Sequence, residues 1–393
     1  MKAGWEIKAI GEVCDVVNGG TPKTGVVDYW DGPHQWITPA EMGKRSTPYI
    51  QQTTRSITDL GLQNSSATPL PPHSVILSSR APIGHLVINS VPMATNQGCK
   101  GLVPTKRVNY KFLYYYLGSI VDLLNDLGTG ATFKELSGGK LKEVKIPVPP
   151  LSEQQRIVSI LDEAFEGIAT AKANAEKNLQ SARALFESHL QSVFSQRGDG
   201  WVESKLGAVY DVRDGTHDSP KYHENGYPLI TSKNLKRDGL SFENVSLINE
   251  QDYVKINQRS AVHKGDVLFA MIGTIGNPTL VTVEPNFAIK NVALFKIPSG
   301  QNGTFLKHYL ASGWVKSKMM QDAKGTTQKF VGLGYLRDFP INVPPLAKQL
   351  EVVAALDKLE AETQHLETIY QQKLTALDAL KKSLLDLAFS GEL

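Results

Sequence analysis

The chain has 393 residues, of which 41% are hydrophobic and 21% charged, with a formal net charge of +3. That balance belongs to an ordinary globular protein with room for more than one domain, and it excludes disordered, collagen-like and membrane-embedded classes. The only cysteines are Cys14 and Cys99, too few for a disulfide framework or a zinc-type motif, so a reducing, cytoplasmic setting is expected.

Met1 to Trp5 has no apolar signal-peptide core. Residues 1–148 carry short apolar runs broken by Gly, Pro, Asn and Ser, as at Pro72-His73-Ser74 before Val75, which predicts a globule of short strands and long loops. One helix is expected from Tyr110 to Leu124, and Ile146-Pro147-Val148 reads as a closing strand. Pro149-Pro150 then stops the extended chain, and Ser152 with Gln155 three residues on fits a capping box. Apolar residues follow at alternating spacings of four and three (Ile157, Leu161, Ala164, Ile168, Ala171, Ala175), the repeat of a coiled-coil helix running to Phe194-Ser195. Its length of about 65 Å follows from ~1.5 Å per residue. Charges interrupt it too often for a membrane span.

The same order then recurs. Residues 197–343 form a second globule, with a helix expected from Phe305 to Met320 and a closing strand at Ile341-Asn342-Val343. Residues 344–393 open with Pro344-Pro345 and form a second coiled-coil helix, with a seam of Val352, Leu356, Leu359, Leu366, Tyr370, Leu377, Leu380 and Leu384. Pro150 and Pro345, Gln154 and Gln349, and Phe194 and Phe389 are each 195 residues apart. Asn178 and Lys373 share a seam position, either buried to fix register or solvated where the seam opens. The repeat reaches back through the globules: Gly20-Thr21 matches Gly215-Thr216, and Val75-Ile76-Leu77 matches Val267-Leu268-Phe269. A chain of globule, rod, globule, rod can close on itself with pseudo-twofold symmetry and antiparallel rods.

Net charge is unevenly spread. The rods carry −2 (residues 152–195) and −3 (residues 347–393), which leaves +8 on the globules and favours an anionic partner there. Enzyme motifs are missing from the sequence. No Asn-Pro-Pro-aromatic methyltransferase motif occurs, and Gly20 and Gly25 are not followed by the Lys-Ser/Thr of a phosphate loop. His217, Asp218 and His223 read as turn chemistry rather than a metal site.

The Pro149-Pro150-Leu151-Ser152-Glu153-Gln154-Gln155-Arg156-Ile157 opening, its weaker echo at Pro344, the Ala388-Phe389-Ser390-Gly391-Glu392-Leu393 ending and Asp214-Gly215-Thr216-His217 together resemble the specificity subunits of type I restriction-modification enzymes. The resemblance covers the whole chain, although Ala347 and Leu350 depart from the motif. It implies an α+β fold: two β-rich target recognition domains (1–148 and 197–343) alternating with two long spacer helices (149–196 and 344–393) paired as an antiparallel coiled coil. It also implies a non-catalytic subunit that binds double-stranded DNA in two halves and docks two modification subunits, with restriction subunits joining that core. S-adenosylmethionine, ATP and magnesium would then be bound by the partners and none by this chain. Rival readings are a subunit of a methylation-only or fused nuclease-methyltransferase system, and a coiled-coil scaffold whose globules bind protein or carbohydrate.

DNA contacts are expected on loops, where amide, hydroxyl and cationic side chains reach base edges and phosphates. In the first globule the candidates are Thr21, Lys23, Arg80, Asn96, Gln97, Lys100, Thr132 and Lys134. Arg80 could fork onto a guanine or make a structural ion pair, and Asn96-Gln97 could read an adenine or cap a turn. In the second globule they are Thr216, His217, Lys221, Lys233, Asn234, Lys290, Asn291, Thr327, Gln328 and Lys329. Ile272 stands where the first copy has Arg80, so an asymmetric target is expected.

Overall fold

The computed structural model describes residues 4–45, 47–130, 134–195, 198, 200–236 and 238–393. Two helices of 45 residues, α1 (Leu151–Ser195) and α2 (Leu346–Ser390), follow the two Pro-Pro pairs. The chain divides into two compact units, residues 1–174 with 373–393, and residues 175–372. Each unit therefore holds one globule, the first part of one long helix and the last part of the other. The divisions fall within the helices, not at the globule–helix junctions near 148 and 343.

In the first unit the main sheet runs Cys14–Asn18, Cys99–Pro104, Val75–Ser79, Ile83–Asn89, Tyr49–Ile50. Val75, Ile76 and Leu77 are all fully buried, as expected of a central strand covered on both faces. A smaller sheet orders Arg55–Ile57, Trp30–Ile37, Met93–Thr95, the last pair parallel. The second unit repeats this plan with Asp211–Asp214, Val292–Lys296, Val267–Ala270, Gly276–Leu280 and, in the smaller sheet, Ser246–Ile248, Tyr227–Ile230, Ala288–Ile289. A short antiparallel pair closes each globule ahead of its prolines: Glu6–Ala9 with Lys145–Val148, and Val202–Lys205 with Pro340–Val343. Both cysteines are buried in the first unit, and burial pushes each thiol up to about 12, so they are packing residues.

The helix starts explain the constant register. Ser152 is not the cap; it is exposed inside the first turn, because α1 begins at Leu151 and the Pro150 carbonyl accepts from Glu153 and Gln154. The organising group is Gln154, fully buried. Its Oε1 accepts from the Asn109 amide at 2.8 Å, and its Nε2 donates to the carbonyls of Arg107 (2.9 Å) and Pro149 (2.8 Å). Gln349, also fully buried, accepts from the Asn302 amide at 3.0 Å and donates to Pro344 at 2.9 Å. Asn109 and Asn302 in turn cap the helices that begin at Tyr110 and Gly303. One side chain in each unit thus ties the segment before the globular helix to the proline carbonyl before the long helix.

The end of the other long helix packs on the same globular helix. In the first unit Phe389 lies edge-on to Phe112 and Tyr116, each 5.2 Å between centroids. In the second, Phe194 meets Phe305 and Tyr309, each at 5.4 Å. Tyr116 and Tyr309 donate to the carbonyls of Lys145 and Pro340. Within each unit the two long helices run antiparallel, with Lys172 paired to Asp378 at 2.7 Å in the first and Arg183 to Glu367 at 3.1 Å in the second.

Two further expectations are corrected, and the alternative left open at Asn178 and Lys373 is decided for the solvated reading. The single globular helices are each two: Tyr110–Ser119 then Val121–Leu127, broken at Ile120, and Gly303–Ala311 then Gly313–Asp322, broken where Ser312 turns extended. Glycines at 118 and 313, poor helix formers, lie beside the breaks. Leu366 and Leu380 do not lie in the α2 seam; they are 37% and 47% exposed, while Thr363 is buried and bonds back to the Leu359 carbonyl at 2.9 Å. A threonine can take that place because its hydroxyl is satisfied within its own helix. Asn178 and Lys373 are both exposed, so neither is a buried register-setting group.

The second unit carries one titrating contact between globule and helix. In the first, Asp162 accepts from Tyr115 and Lys111, both at 2.5 Å. Asp357, 195 residues on, is instead 2.7 Å from Nε2 of His308, which is 1% exposed. Burial lowers the His308 pKa below its ordinary 6.5, outweighing the pull of Asp357. Glu360 completes a trio with ligand atoms within 4.8 Å, but Lys307 lies 3.6 Å from Glu360 and neutralises it. The trio is an ion-pair network around a neutral imidazole.

Two outcomes follow. Gln154→Ala removes three buried hydrogen bonds and should cost about 2–4 kcal/mol of stability. The exposed neighbour change Gln155→Ala should stay within about 0.5 kcal/mol; denaturant melts of the two variants check this. Because the folded His308 pKa is depressed, its contribution to stability is fully present above pH 6.5 and is lost as pH falls through the folded value. Imidazole resonances followed by NMR should show His308 still neutral where a free histidine is half protonated; titration at or above 6.5 would contradict the burial argument.

Candidate nucleic-acid interface

In both units three loops meet at one end of the sheets, and backbone bonds fix their equivalence. The Gly19 amide donates to Cys99 and the Gly20 amide to Thr95; the Gly215 amide donates to Val292 and the Thr216 amide to Ile289. The structural register therefore sets Gly19 against Gly215 and Thr21 against His217, one residue from the sequence match. Both glycines are required by closeness: a Cβ would collide with the Asn96 carbonyl at Gly19 and with the Ile289 carbonyl at Gly215. The amides of Asn96 and Lys290 likewise donate to Ile37 and Ile230, so Asn96-Gln97-Gly98 corresponds to Lys290-Asn291.

The side chains of the first two loops bond to each other in each unit. Thr21 donates to Gln97 and accepts from Asn96 Nδ2 at 2.8 Å, while Asn96 Oδ1 takes the Gly98 amide at 2.8 Å. Asn96 is thus a turn cap with its amide bonded to Thr21, and Gln97 stays exposed. In the second unit His217 bridges Asn291 Oδ1 (2.8 Å) and the buried Asp214 (2.9 Å). Those two bonds, to Asn291 and then Asp214, raise the His217 pKa above 6.5, favouring an imidazolium at the rim. Asp214 also receives Arg259, so its buried charge is doubly matched.

The third element follows the central strand, at Arg80 one residue and at Ile272 two residues past its end. Arg80 bridges to Glu135 in a turn closed by Thr129 and Glu135; Ile272 bridges to Phe330 in a turn closed by Lys324 and Phe330. Arg80 lies across Gly98, its Nε 3.1 Å from where a Cβ would stand, and its Nη1 is 3.8 Å from Glu135. Thr327, Gln328 and Lys329 are all exposed on the second turn. Thr132 lies outside the described residues, and Lys134 beside it is exposed.

In the second unit these loops border an open groove of about 680 Å³. It gathers Lys233, Asn234, Lys290, Asn291 and Gln328 from three separate segments, with Lys236, Tyr222, Asn244 and Ser246 not anticipated from sequence. Three lysines face one carboxylate, Glu243, on its walls. Lys290 also reaches Ser219 at 2.8 Å. Lys221 is exposed on the loop that follows His217, and Lys23 is exposed in the first unit. Strand pairing sets Arg55 of the first unit where the second has Ser246. Arg55 is exposed with its guanidinium 3.6 Å from the Trp30 ring centroid, a second missed cation that only the fold brings beside that ring.

Two candidates are corrected outright. Lys100 is 6% exposed in the main sheet, and burial depresses its pKa against the pull of Glu135. It supports the Arg80–Glu135 corner from below. Asn234 is 5% exposed and its amide is consumed: Oδ1 accepts from the Thr231 amide and hydroxyl, and Nδ2 donates to the Ser241 carbonyl. It shapes the groove wall. Thr216 is half-buried, its hydroxyl oxygen accepting from the Asp218 amide at 3.1 Å, so it builds the turn that presents His217.

Comparison with known proteins agrees with this geometry. The family model described as "Type I restriction modification DNA specificity domain" matches residues 2–179 and 198–376, one match per copy of the repeat. The chain is 28% identical over 364 residues to the type I restriction enzyme MjaIX specificity subunit of Methanocaldococcus jannaschii, covering 87% of this chain and 83% of that one. Its fold is similar to a solved chain from a study of assembly and conformational transition of the type I R-M system, with TM-score 0.80, 19% identity and coverage of 100% and 99%. It is also similar to the crystal structure of the HsdS subunit from Thermoanaerobacter tengcongensis, with TM-score 0.65, 18% identity and coverage of 100% and 98%. Two matched loop rims, one in each copy of a duplicated fold, and a family match that itself falls twice along the sequence lead to one conclusion: the chain belongs to the family of type I restriction-modification DNA specificity domains.

Proposed function

We propose that this chain is the DNA-recognition subunit of a type I restriction-modification enzyme, each globule reading one half of an asymmetric, split duplex target. The observation that carries this reading is one scaffold used twice with unlike side chains at equivalent rim positions: Thr21 against His217, Asn96 against Lys290, Arg80 against Ile272. Equivalent backbone bonds hold loops that present different donors and acceptors, which is what two unlike half-sites require. In this reading the exposed Lys23, Lys134, Lys221, Lys233 and Lys329 meet phosphates, while Gln97, Gln328 and Asn291 offer amides to base edges.

The chain itself does no chemistry in this reading. Two modification subunits methylate adenine with S-adenosylmethionine, and restriction subunits add ATP- and magnesium-dependent translocation and cleavage. The long helices set the spacing of the half-sites and dock the modification subunits. Support for docking comes from large apolar side chains left outside the helix seams: Leu350 (50% exposed), Leu366 (37%) and Ile369 (41%) in one unit, Leu380 (47%) in the other. Among the described residues no helix is long and apolar enough to cross a membrane. Work on DNA fits a cytoplasmic location.

Two measurements test the reading. Duplex affinity of the chain with its modification subunit, read by fluorescence anisotropy, should fall at least about tenfold between 50 and 200 mM salt. Absent or salt-indifferent binding would favour a protein- or carbohydrate-binding scaffold. Deleting one turn at matched positions of α1 and α2 should shorten the gap in the methylated sequence by about one or two base pairs, at ~5.4 Å per turn and ~3.4 Å per base pair. An unchanged gap would contradict the spacer role.

A further inference from the structure

The Arg80 and Ile272 positions differ in a coordinated way. Each follows the central strand of its sheet, and each forms an isolated bridge to the residue that closes the neighbouring turn, Glu135 or Phe330. Where the first unit has a cation, its bridge partner is an anion 3.8 Å away. In the second the residue is branched aliphatic and its bridge partner aromatic, 40% exposed. The two members of the corner differ together between units, polar in one and apolar in the other, across the same backbone bridge.

The surroundings of each corner also fit different base chemistry. Arg80 has a side chain 35% exposed, and Gly98 beneath it leaves room for the guanidinium to lie flat beside Asn96. The pairing with Glu135, at 3.8 Å, is too long to consume its donors. Ile272 is half-buried in the groove wall. Next to it, Gln328 Nε2 lies over Gly273, 3.0 Å from where a Cβ would stand. An aliphatic surface beside an amide suits a base pair that offers a methyl group and hydrogen-bonding edges.

We propose that Arg80 and Ile272 occupy one selector position, at which the first domain requires a G·C pair read by the guanidinium on guanine N7 and O6, and the second requires an A·T pair whose thymine methyl packs on Ile272. This rests on the reading of the globules as DNA readers and adds the pair type each selects at this point. A bidentate arginine on guanine and an apolar contact on the thymine methyl are the pairings that major-groove geometry favours.

The test is selection of duplexes from a randomised library by the full chain with its modification subunit, followed by sequencing. Wild type should enrich a two-part motif. Arg80→Ile should lose preference for one G·C pair in one half-site by at least about tenfold and leave the other half-site as it was. Arg80→Lys, which keeps the charge but not the fork, should relax the same pair more weakly. Ile272→Arg should shift one A·T pair of the other half-site toward G·C, and Ile272→Val should retain it. The intact opposite half-site in each variant reports that the chain is folded. Enrichment of the wild-type motif by Arg80→Ile and Ile272→Arg alike would overturn the selector assignment while leaving the DNA-reading function standing. Changes spread over both half-sites would also overturn it, since the role would then be structural. Failure of the wild-type chain to enrich any motif would instead overturn the reading on which the proposal rests.

Discussion

A buried carboxamide fixes this molecule. Gln154 and Gln349 each bind the backbone before a globular helix and the proline carbonyl before a long helix, so the start of the rod and the edge of the globule cannot move independently. An amide suits the task because it donates and accepts at one point, and a buried amide with its bonds made is rigid where a partly bonded one would be costly. Phe389 and Phe194 then bring the end of the opposite helix onto the same globular helix. Each unit thus clamps the start of one long helix and the end of the other, and Gln154 to Phe194 spans as many residues as Gln349 to Phe389.

That constraint separates two jobs. The cores, closing strands, caps and glutamine clamps are held alike in both units, while the loop rims diverge. Tyr115 gives way to His308 against the same carboxylate, and Arg80-Glu135 to Ile272-Phe330 across the same bridge. The first exchange keeps a hydrogen bond and so preserves docking. The second exchanges a polar corner for an apolar one at the rim, where such a change alters what can be bound. Charge is divided in the same sense, positive on the globules and negative on the helices. On net charge alone a polyanion is favoured at the globules over the rods.

The architecture was legible in the sequence because duplication makes a chain its own comparison. The 195-residue register, the Pro-Pro boundaries and the ends at Phe194 and Phe389 all stand in the structure. Less was legible wherever a side chain's role depends on a partner far along the chain. Ser152 looks like a cap, yet Gln154 does the binding through Asn109, 45 residues away. Leu366 fits a heptad, but Thr363 takes the seam because its hydroxyl bonds within the helix. Lys100 and Asn234 have the right chemistry for DNA and the wrong burial, since a strand covered on both faces holds the one and a capping turn the other. Arg55 and Lys236 were missed because only the smaller sheet and the short hairpin bring them to the rim. Loop residue types were readable, but their convergence was not.

The central claim is that one chain touches a duplex through two separate rims. A chemical footprint of the assembled chain and modification subunit on its methylated target tests it most directly. The account predicts two protected patches of unlike sequence, divided by a stretch whose bases stay reactive and whose sequence does not matter. A single continuous patch, or protection of one side only, would contradict it.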